Sequence, residues 1–254
     1  MSNFQGKFVW YELLTSDVAG AEAFYKSVIG WGARDAGHAT MAYTVFTAGE
    51  AGVGGIWEIT EDVKAVGGRP GWVGYIQVDD IALSAAQVAE EGGAIHVPPQ
   101  EIPGVGLFAV ATDPQHAKFI LFQQPTPTEP DHSANGHVGW HELYATDYAA
   151  DFEFYAKLFG WTKADAIDMG PMGLYQMFTT GGNPIGGMMN KPEPMPANGW
   201  LFYFNVDSAG AAVARLESAG GHVVHGPMQV PGGHWIVQAL DPQGVLFAVV
   251  SREK

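Results

Sequence analysis

The sequence predicts an α+β fold made of two tandem copies of one domain, each a curved, antiparallel-rich sheet with helices on its outer face. The main observation is an internal repeat, in which residues 8–31 match residues 137–161. Trp10 and Glu12 fall on Trp140 and Glu142 at an offset of 130. Two later pairs of segments match at an offset of 128: Gly71–Asp80 with Gly199–Ser208, and Pro103–Gln115 with Pro231–Gln243. A period this long indicates domain duplication rather than a solenoid.

The first module of copy one begins with a strand and a helix. Residues 8–14 are apolar and β-prone, and their alternation places Trp10 and Glu12 on one face. Asp17 is expected to cap the following helix, and Gly30 to end it in a left-handed conformation. Two further strands, joined by a Gly-Glu-Ala-Gly turn, are expected at Ala42–Ala48 and Val53–Ile59.

The second module has the same order. A strand at Trp72–Val78 leads into a helix that Asp79 and Asp80 open and that Gly92 and Gly93 close. Further strands are expected around Ile95, Leu107–Ala111 and Lys118–Phe122, and copy two repeats the scheme with helices near Tyr148–Phe159 and Ala209–Ala219. Each domain thus consists of two βαβββ modules. Helices on one face leave the other face to curl into a cup.

The segment 124–136 is rich in proline and small polar residues, which is typical of a linker. We therefore expect one domain at 1–123 and a second at 137–254.

Composition excludes several functions. The formal net charge of −15 would repel a phosphate backbone, so nucleic-acid binding is not expected. The absence of cysteine excludes disulfides, thiolate nucleophiles and cysteine-ligated zinc. No apolar run approaches the length of a membrane helix, and residues 1–7 lack a signal-peptide apolar stretch. A soluble cytoplasmic protein is the expectation, either a monomer (a pseudo-dimer of domains) or a homodimer.

Three motifs resemble those of the vicinal-oxygen-chelate (VOC) superfamily, which includes glyoxalase-like, bleomycin resistance and dioxygenase proteins. They are W-x-E-L-x-x-x-D before F-Y-x-x-x-x-G-W, the VDD after the second leading strand, and the closing D-P-Q-x-x-x-F. The resemblance covers nearly the whole chain and is greatest to bacterial tandem-domain glyoxalase-like proteins. It implies a sheet cup that binds a small molecule, but not one chemistry, since this fold hosts isomerases, lyases, dioxygenases and binding proteins.

The resemblance also locates the metal-ligand positions of the metal-dependent members. They fall on side chains that cannot coordinate a divalent ion: Trp10, Val73 and Ile120 in copy one, and Trp140, Leu201 and Ala248 in copy two. A further metal-ligand position lies near Gly55 in copy one and Gly187 in copy two. In copy one, Glu58 could supply the ligand that the glycine lacks. We therefore expect no metal site and no cofactor.

Glu12 and Glu142 are the main candidates for chemistry. Each shares the cup face with the tryptophan two residues before it, where burial would make a carboxylate easier to protonate. Such a carboxylate could act as a general base, or anchor a ligand amine or hydroxyl. The alternative is a structural carboxylate that holds a neighbouring backbone or an arginine.

The remaining candidates are less specific. Lys118, replaced by Leu246 in copy two, could pair with Glu12 or bind an anion, or could be a rim lysine. His234, at the position of Gly106, could be an acid/base partner of Glu142 or a structural histidine. Four tyrosines at equivalent positions could line the cups or belong to the core: Tyr43, Tyr75, Tyr175 and Tyr203. By strand alternation, Trp72 and Trp200 project to the other face of the sheet from Tyr75 and Tyr203, so they should pack beneath the helices.

Several functions remain open. One is a metal-independent lyase or isomerase that uses a cup glutamate. Another is a non-catalytic protein that binds or sequesters a small molecule. A third is one active copy beside a degenerate one, and a metal-dependent glyoxalase or dioxygenase would require a metal site after all.

Overall fold

The structure, a computed structural model, describes residues 3–36, 42–65, 68–193 and 195–254. The first half of the chain contains two modules in sequence. Their elements are β1 (Phe8–Thr15), α1 (Val18–Ile29), β2 (Gly32–Asp35), β3 (Thr44–Ala48), β4 (Ala51–Glu58) and α2 (Glu61–Ala65), followed by β5 (Gly71–Gln77), α3 (Ile81–Glu90), β6 (Ala94–Ile102), β7 (Gly106–Thr112) and β8 (Lys118–Gln123).

The second half repeats this order. Its elements are β9 (Val138–Ala145), α4 (Tyr148–Phe159), β10 (Thr162–Asp168), a 3₁₀ turn (Gly170–Met172), β11 (Leu174–Thr179) and β12 (Gly186–Asn190), followed by β13 (Gly199–Asn205), α5 (Ala209–Ser218), β14 (His222–Gln229), β15 (Trp235–Leu240) and β16 (Leu246–Ser251). Within the described ranges, no helix is long and apolar enough to cross a membrane.

The strands form two eight-stranded mixed sheets, β1–β8 in one and β9–β16 in the other. In the leading module of each copy, the first strand pairs in parallel with the fourth, so that Glu12 lies beside Gly55 and Glu142 beside Gly187. The strands that follow each leading helix pair as antiparallel neighbours. The predicted α+β fold with an internal duplication is confirmed.

Local capping explains where the leading helices begin and end. The Asp17 carboxylate accepts a hydrogen bond from the Gly20 N–H at 2.9 Å, and Gly30 ends α1 with φ of 88°. Copy two uses the same residue types, Asp147 before α4 and Gly160 with φ of 72° after it. The predicted caps are confirmed, because aspartate satisfies free N–H groups and glycine adopts a left-handed conformation without steric cost.

The chain packs into two compact units. The first comprises the chain up to Val9 together with Val73–Pro130 and Trp140–Trp200. The second comprises Trp10–Trp72, Asp131–Gly139 and Leu201–Lys254. Each unit therefore combines one module of copy one with one module of copy two.

A buried hydrogen-bond chain joins the two modules of the second unit. The indole N–H of Trp72 donates to Tyr25 Oη at 3.0 Å, and the Tyr25 hydroxyl donates to Asp241 Oδ2 at 3.1 Å. Asp241 Oδ1 also accepts from the backbone N–H groups of Gln243 and Val245, at 2.8 and 2.9 Å. The DPQ turn of copy two is thus fixed to helix α1 of copy one.

The first unit contains an equivalent chain of hydrogen bonds, built from the other two modules. Trp200 Nε1–H donates to Tyr155 Oη at 3.1 Å, and Tyr155 donates to Asp113 Oδ2 at 2.8 Å. The Tyr155 ring also stacks on Trp161, with ring centroids 5.2 Å apart. Trp72 and Trp200 therefore pack beneath the leading helices, as predicted from strand parity.

Candidate functional site

Three predicted residues meet on one face of the leading module in the second unit. The indole N–H of Trp10 donates to Tyr43 Oη at 3.0 Å, and the Tyr43 hydroxyl donates in turn to the Glu12 carboxylate. Glu12 is only 7% exposed, whereas Trp10 and Tyr43 are half-buried. The result is a directional chain of hydrogen bonds that ends on a buried carboxylate.

The leading module in the first unit repeats this chain. Trp140 Nε1–H donates to Tyr175 Oη at 2.6 Å, and Tyr175 donates to the carboxylate of Glu142, which is 6% exposed. We call each set of three residues a Trp–Tyr–Glu site: Trp10, Tyr43 and Glu12 in copy one, and Trp140, Tyr175 and Glu142 in copy two.

Glycine is required beside each of these glutamates. A Cβ atom added to Gly55 would overlap the hydroxyl of Tyr43, and one added to Gly187 would overlap the ring of Tyr175. The tyrosine ring therefore lies against the strand that pairs with the glutamate strand. Only a residue without a side chain leaves room for it.

The environment keeps both site tyrosines protonated. Burial, with the negative charge of Glu12, raises the pKa of Tyr43 far above its ordinary value, although the hydrogen bond from Trp10 acts in the opposite direction. Burial and the charge of Glu142 do the same for Tyr175. Each hydroxyl is thus a hydrogen-bond donor at physiological pH, and its donation stabilises the ionised form of the neighbouring carboxylate.

The side chains of these modules do not fit a divalent metal ion. A catalytic zinc site takes about three protein ligands, whereas each Trp–Tyr–Glu site offers one carboxylate and a protonated phenol. Over the described part of the chain, no three histidine, aspartate or glutamate side chains are grouped so that they could hold an ion. Glu58 is exposed and lies three residues from Gly55, on the opposite face of β4, so it does not complete a site there.

The tyrosines of the second modules lie on buried strands. In the first unit, Tyr75 packs edge-on against Phe122 at 5.3 Å between ring centroids. In the second unit, Tyr203 Oη accepts a hydrogen bond from Gln238 Nε2 at 2.7 Å. Gln238 was not predicted as a site residue. It stands where copy one has Val110, and that difference between aligned copies was the available signal.

The other candidates, Lys118 and His234, take no part in the hydrogen bonds of the Trp–Tyr–Glu sites. Lys118 is exposed at the start of β8 and forms no ion pair with any described residue. His234 is half-buried in the turn before β15. His141, next to Glu142 in sequence, is fully buried and stacks on Phe8 at 4.2 Å.

The comparisons with known proteins identify the family. The family model of the Glyoxalase/Bleomycin resistance protein/Dioxygenase superfamily matches residues 7–121 and, again, residues 135–249. The chain belongs to this superfamily. The predicted VOC resemblance is confirmed, and each sequence copy corresponds to one match.

Individual relatives of this VOC chain differ in the functions their names describe. It is 30% identical over 259 residues to CFP32 of Mycobacterium tuberculosis, provisionally named a glyoxylase, and the match covers 97% of this chain and 95% of that protein. It is 26% identical over 277 residues to the anthracycline biosynthesis protein DnrV of Streptomyces peucetius, covering 96% and 93%. The Mn(II)-bound glyoxalase of Novosphingobium aromaticivorans shares the fold, with a TM-score of 0.66 at 16% identity, covering 99% of this chain and 83% of that one.

Proposed function

We propose that this VOC protein binds a small, largely apolar organic molecule at its Trp–Tyr–Glu sites, with the glutamate accepting a hydrogen bond from a ligand hydroxyl or amine. The observation that carries the proposal is the tyrosine-to-glutamate hydrogen bond, which is present in both copies. A carboxylate held in this way is a fixed acceptor in a largely apolar setting.

The energetics support an anchoring role. A buried carboxylate is costly unless donors surround it, and a tyrosine supplies one. A ligand O–H or N–H would add another, and hydrogen bonds to a charged group contribute about 1.5–3 kcal/mol. The half-buried faces of Trp10 and Tyr43 would supply apolar contact area for an aromatic or aliphatic ligand.

Catalysis is the second candidate, favoured by the same buried glutamate. An isomerase would use it to remove a proton from a carbon next to a carbonyl group and return that proton to another carbon of the ligand, and a lyase would remove the same proton as a leaving group departs from the neighbouring carbon and takes up a proton. The glyoxylase and biosynthesis names of the relatives are compatible with this chemistry. However, the tyrosine hydrogen bond already uses one acceptor position of the carboxylate and opposes the effect of burial on its protonation. The geometry therefore supports the anchor better than the base.

The experiment compares charge-removing variants of the two glutamates. We would measure the affinity of 4-ethylphenol, a phenol probe, for the wild type, for Glu12→Gln, for Glu142→Gln and for the double variant. The expected result is a loss of affinity of about tenfold at each altered site, because a neutral amide is a weaker acceptor than a carboxylate.

Glu58→Gln is the matched control, because it removes a glutamate charge from the opposite face of β4. It should leave the affinity unchanged. If the double variant binds 4-ethylphenol as tightly as the wild type, the anchoring role is wrong. A variant that keeps its affinity but loses turnover of an enolisable ketone would instead support the base.

A further inference from the structure

The indole N–H of Trp57 is a buried hydrogen-bond donor that nothing in the described part of the chain satisfies. Its nitrogen is buried and has no hydrogen-bond partner among the described residues. A donor left in this condition destabilises the folded chain relative to one that is paired. Such groups are uncommon in native proteins, so a particular instance calls for a specific cause.

Strand register places Trp57 on the same sheet face as the copy-one Trp–Tyr–Glu site. β1 and β4 pair in parallel, with Glu12 beside Gly55 and Leu14 beside Trp57. Residues two apart on a strand project to the same face, about 6.6 Å apart along it. The unpaired N–H therefore belongs to the layer of side chains next to the Glu12 carboxylate.

Copy two fills the equivalent layer with different polar atoms. There Tyr144 pairs with Met189, two residues beyond Glu142 and Gly187. Each copy thus has one large aromatic side chain in this layer, on β4 in copy one and on β9 in copy two. An indole N–H can only donate, a phenol can donate or accept, and a methionine sulfur is at best a weak acceptor.

We propose that Trp57 Nε1–H donates to an acceptor oxygen, such as a carbonyl, of the ligand that Glu12 anchors. The copy-one site then selects molecules that carry a hydroxyl for Glu12 and a carbonyl oxygen for Trp57, while the copy-two layer has no indole donor on the matching strand. The inference rests on the proposed function. A para-hydroxyaryl ketone separates its two oxygens by a distance comparable to two residues along a strand.

The test uses two probes of nearly the same shape, 4-hydroxyacetophenone and 4-ethylphenol, which differ by the carbonyl oxygen. Binding is followed in ¹H–¹⁵N spectra of the tryptophan indoles, and Trp57→Phe identifies the Trp57 signal by its loss. We expect the ketone to shift this signal downfield and to bind about tenfold more tightly than the ethyl compound at the copy-one site.

The variants separate the proposal from simpler effects. In Trp57→Phe the ratio of the two affinities should fall to about one, because phenylalanine is aromatic but has no N–H to donate, whatever its smaller ring does to the affinity for each probe. Met189→Leu, at the matched position of copy two, should leave the preference intact.

Two failures can be told apart. If 4-ethylphenol binds but the ketone has no advantage, or if Trp57→Phe keeps the advantage, the role of Trp57 is wrong and the anchoring function stands. If neither probe perturbs the signals of either leading module, both proposals are wrong. Should Trp57→Phe fail to fold, the Trp57 signal is assigned in the wild type from its nuclear Overhauser contacts, and its downfield shift then decides the question.

Discussion

Asp151 should make this protein less stable as the pH rises. The side chain lies in α4 and is 1% exposed, and neither carboxylate oxygen has a hydrogen-bond partner among the residues that the structure describes. Burial is the main cause that raises its pKa from 3.8 to about 7, and the nearby charges of Asp113 and Asp147 add to the effect. A contact with Gln115 acts in the opposite direction.

The sign of the effect follows from proton binding. Below pH 4 both the folded and the unfolded chain carry the proton, so Asp151 has no effect on the pH dependence of stability. Between pH 4 and 7 the unfolded chain releases the proton while the folded chain keeps it, and the free energy of unfolding falls. A pKa of about 7 against 3.8 corresponds to an upper bound on the order of 4 kcal/mol, reached above pH 8.

The assay is urea denaturation of the wild type and Asp151→Ala at pH 5 and pH 8.5. Alanine is the residue that copy one carries at the matched position, Ala21, which is also 1% exposed. The variant should gain stability at both pH values, by roughly 2–3 kcal/mol more at pH 8.5. An equal gain at the two pH values, or a loss at pH 8.5, would refute the reasoning. The reverse change, Ala21→Asp, should destabilise the protein more at pH 8.5 than at pH 5.

Three other predictions concern the hydrogen-bond chains and the metal question. Tyr155→Phe removes the side-chain donor to the buried Asp113 carboxylate and should lower the free energy of unfolding by about 1–3 kcal/mol in denaturant titrations, and Tyr25→Phe should act likewise through Asp241. Gly187→Ala should displace the Tyr175 ring, change the near-ultraviolet circular dichroism and weaken phenol binding; an unchanged spectrum and affinity would contradict the packing. Nickel, zinc, iron or manganese should not raise the melting temperature in a saturable way, and a rise abolished by Glu12→Gln would show that the carboxylate holds an ion.

The features predicted from the sequence are those governed by short-range rules. The cap at Asp17 and the left-handed Gly30 follow from local backbone chemistry, and the faces of Trp10 and Trp72 follow from the two-residue period of a strand. Strand β2, four residues long and mostly exposed, carries no such pattern and was not predicted. Helix α2, only five residues long, was missed as well.

The features that were missed depend on contacts between distant segments. Tyr43 was predicted to line a cup, but its hydrogen bonds to Trp10 and Glu12 need the β3–β4 register, which the sequence leaves loose. Trp57 was missed because the position of β4 relative to β1 decides which face it shares with Glu12. The combination of modules from different copies in one unit is likewise a long-range result, fixed by contacts such as Tyr25 with Asp241.

Comparison of the two copies separates framework from specificity. Both copies keep the tryptophan–tyrosine–aspartate chains that join modules within a unit, and both keep the Trp–Tyr–Glu site with its glycine. They differ in the layer of side chains beside the glutamate. Copy one has Leu14 paired with Trp57 there, whereas copy two has Tyr144 paired with Met189. The shared hydrogen bonds position a carboxylate in the same way twice, while the neighbouring polar atoms differ in whether they donate or accept. Two sites with one anchor and different neighbours should therefore both accept phenols but rank carbonyl-bearing phenols differently.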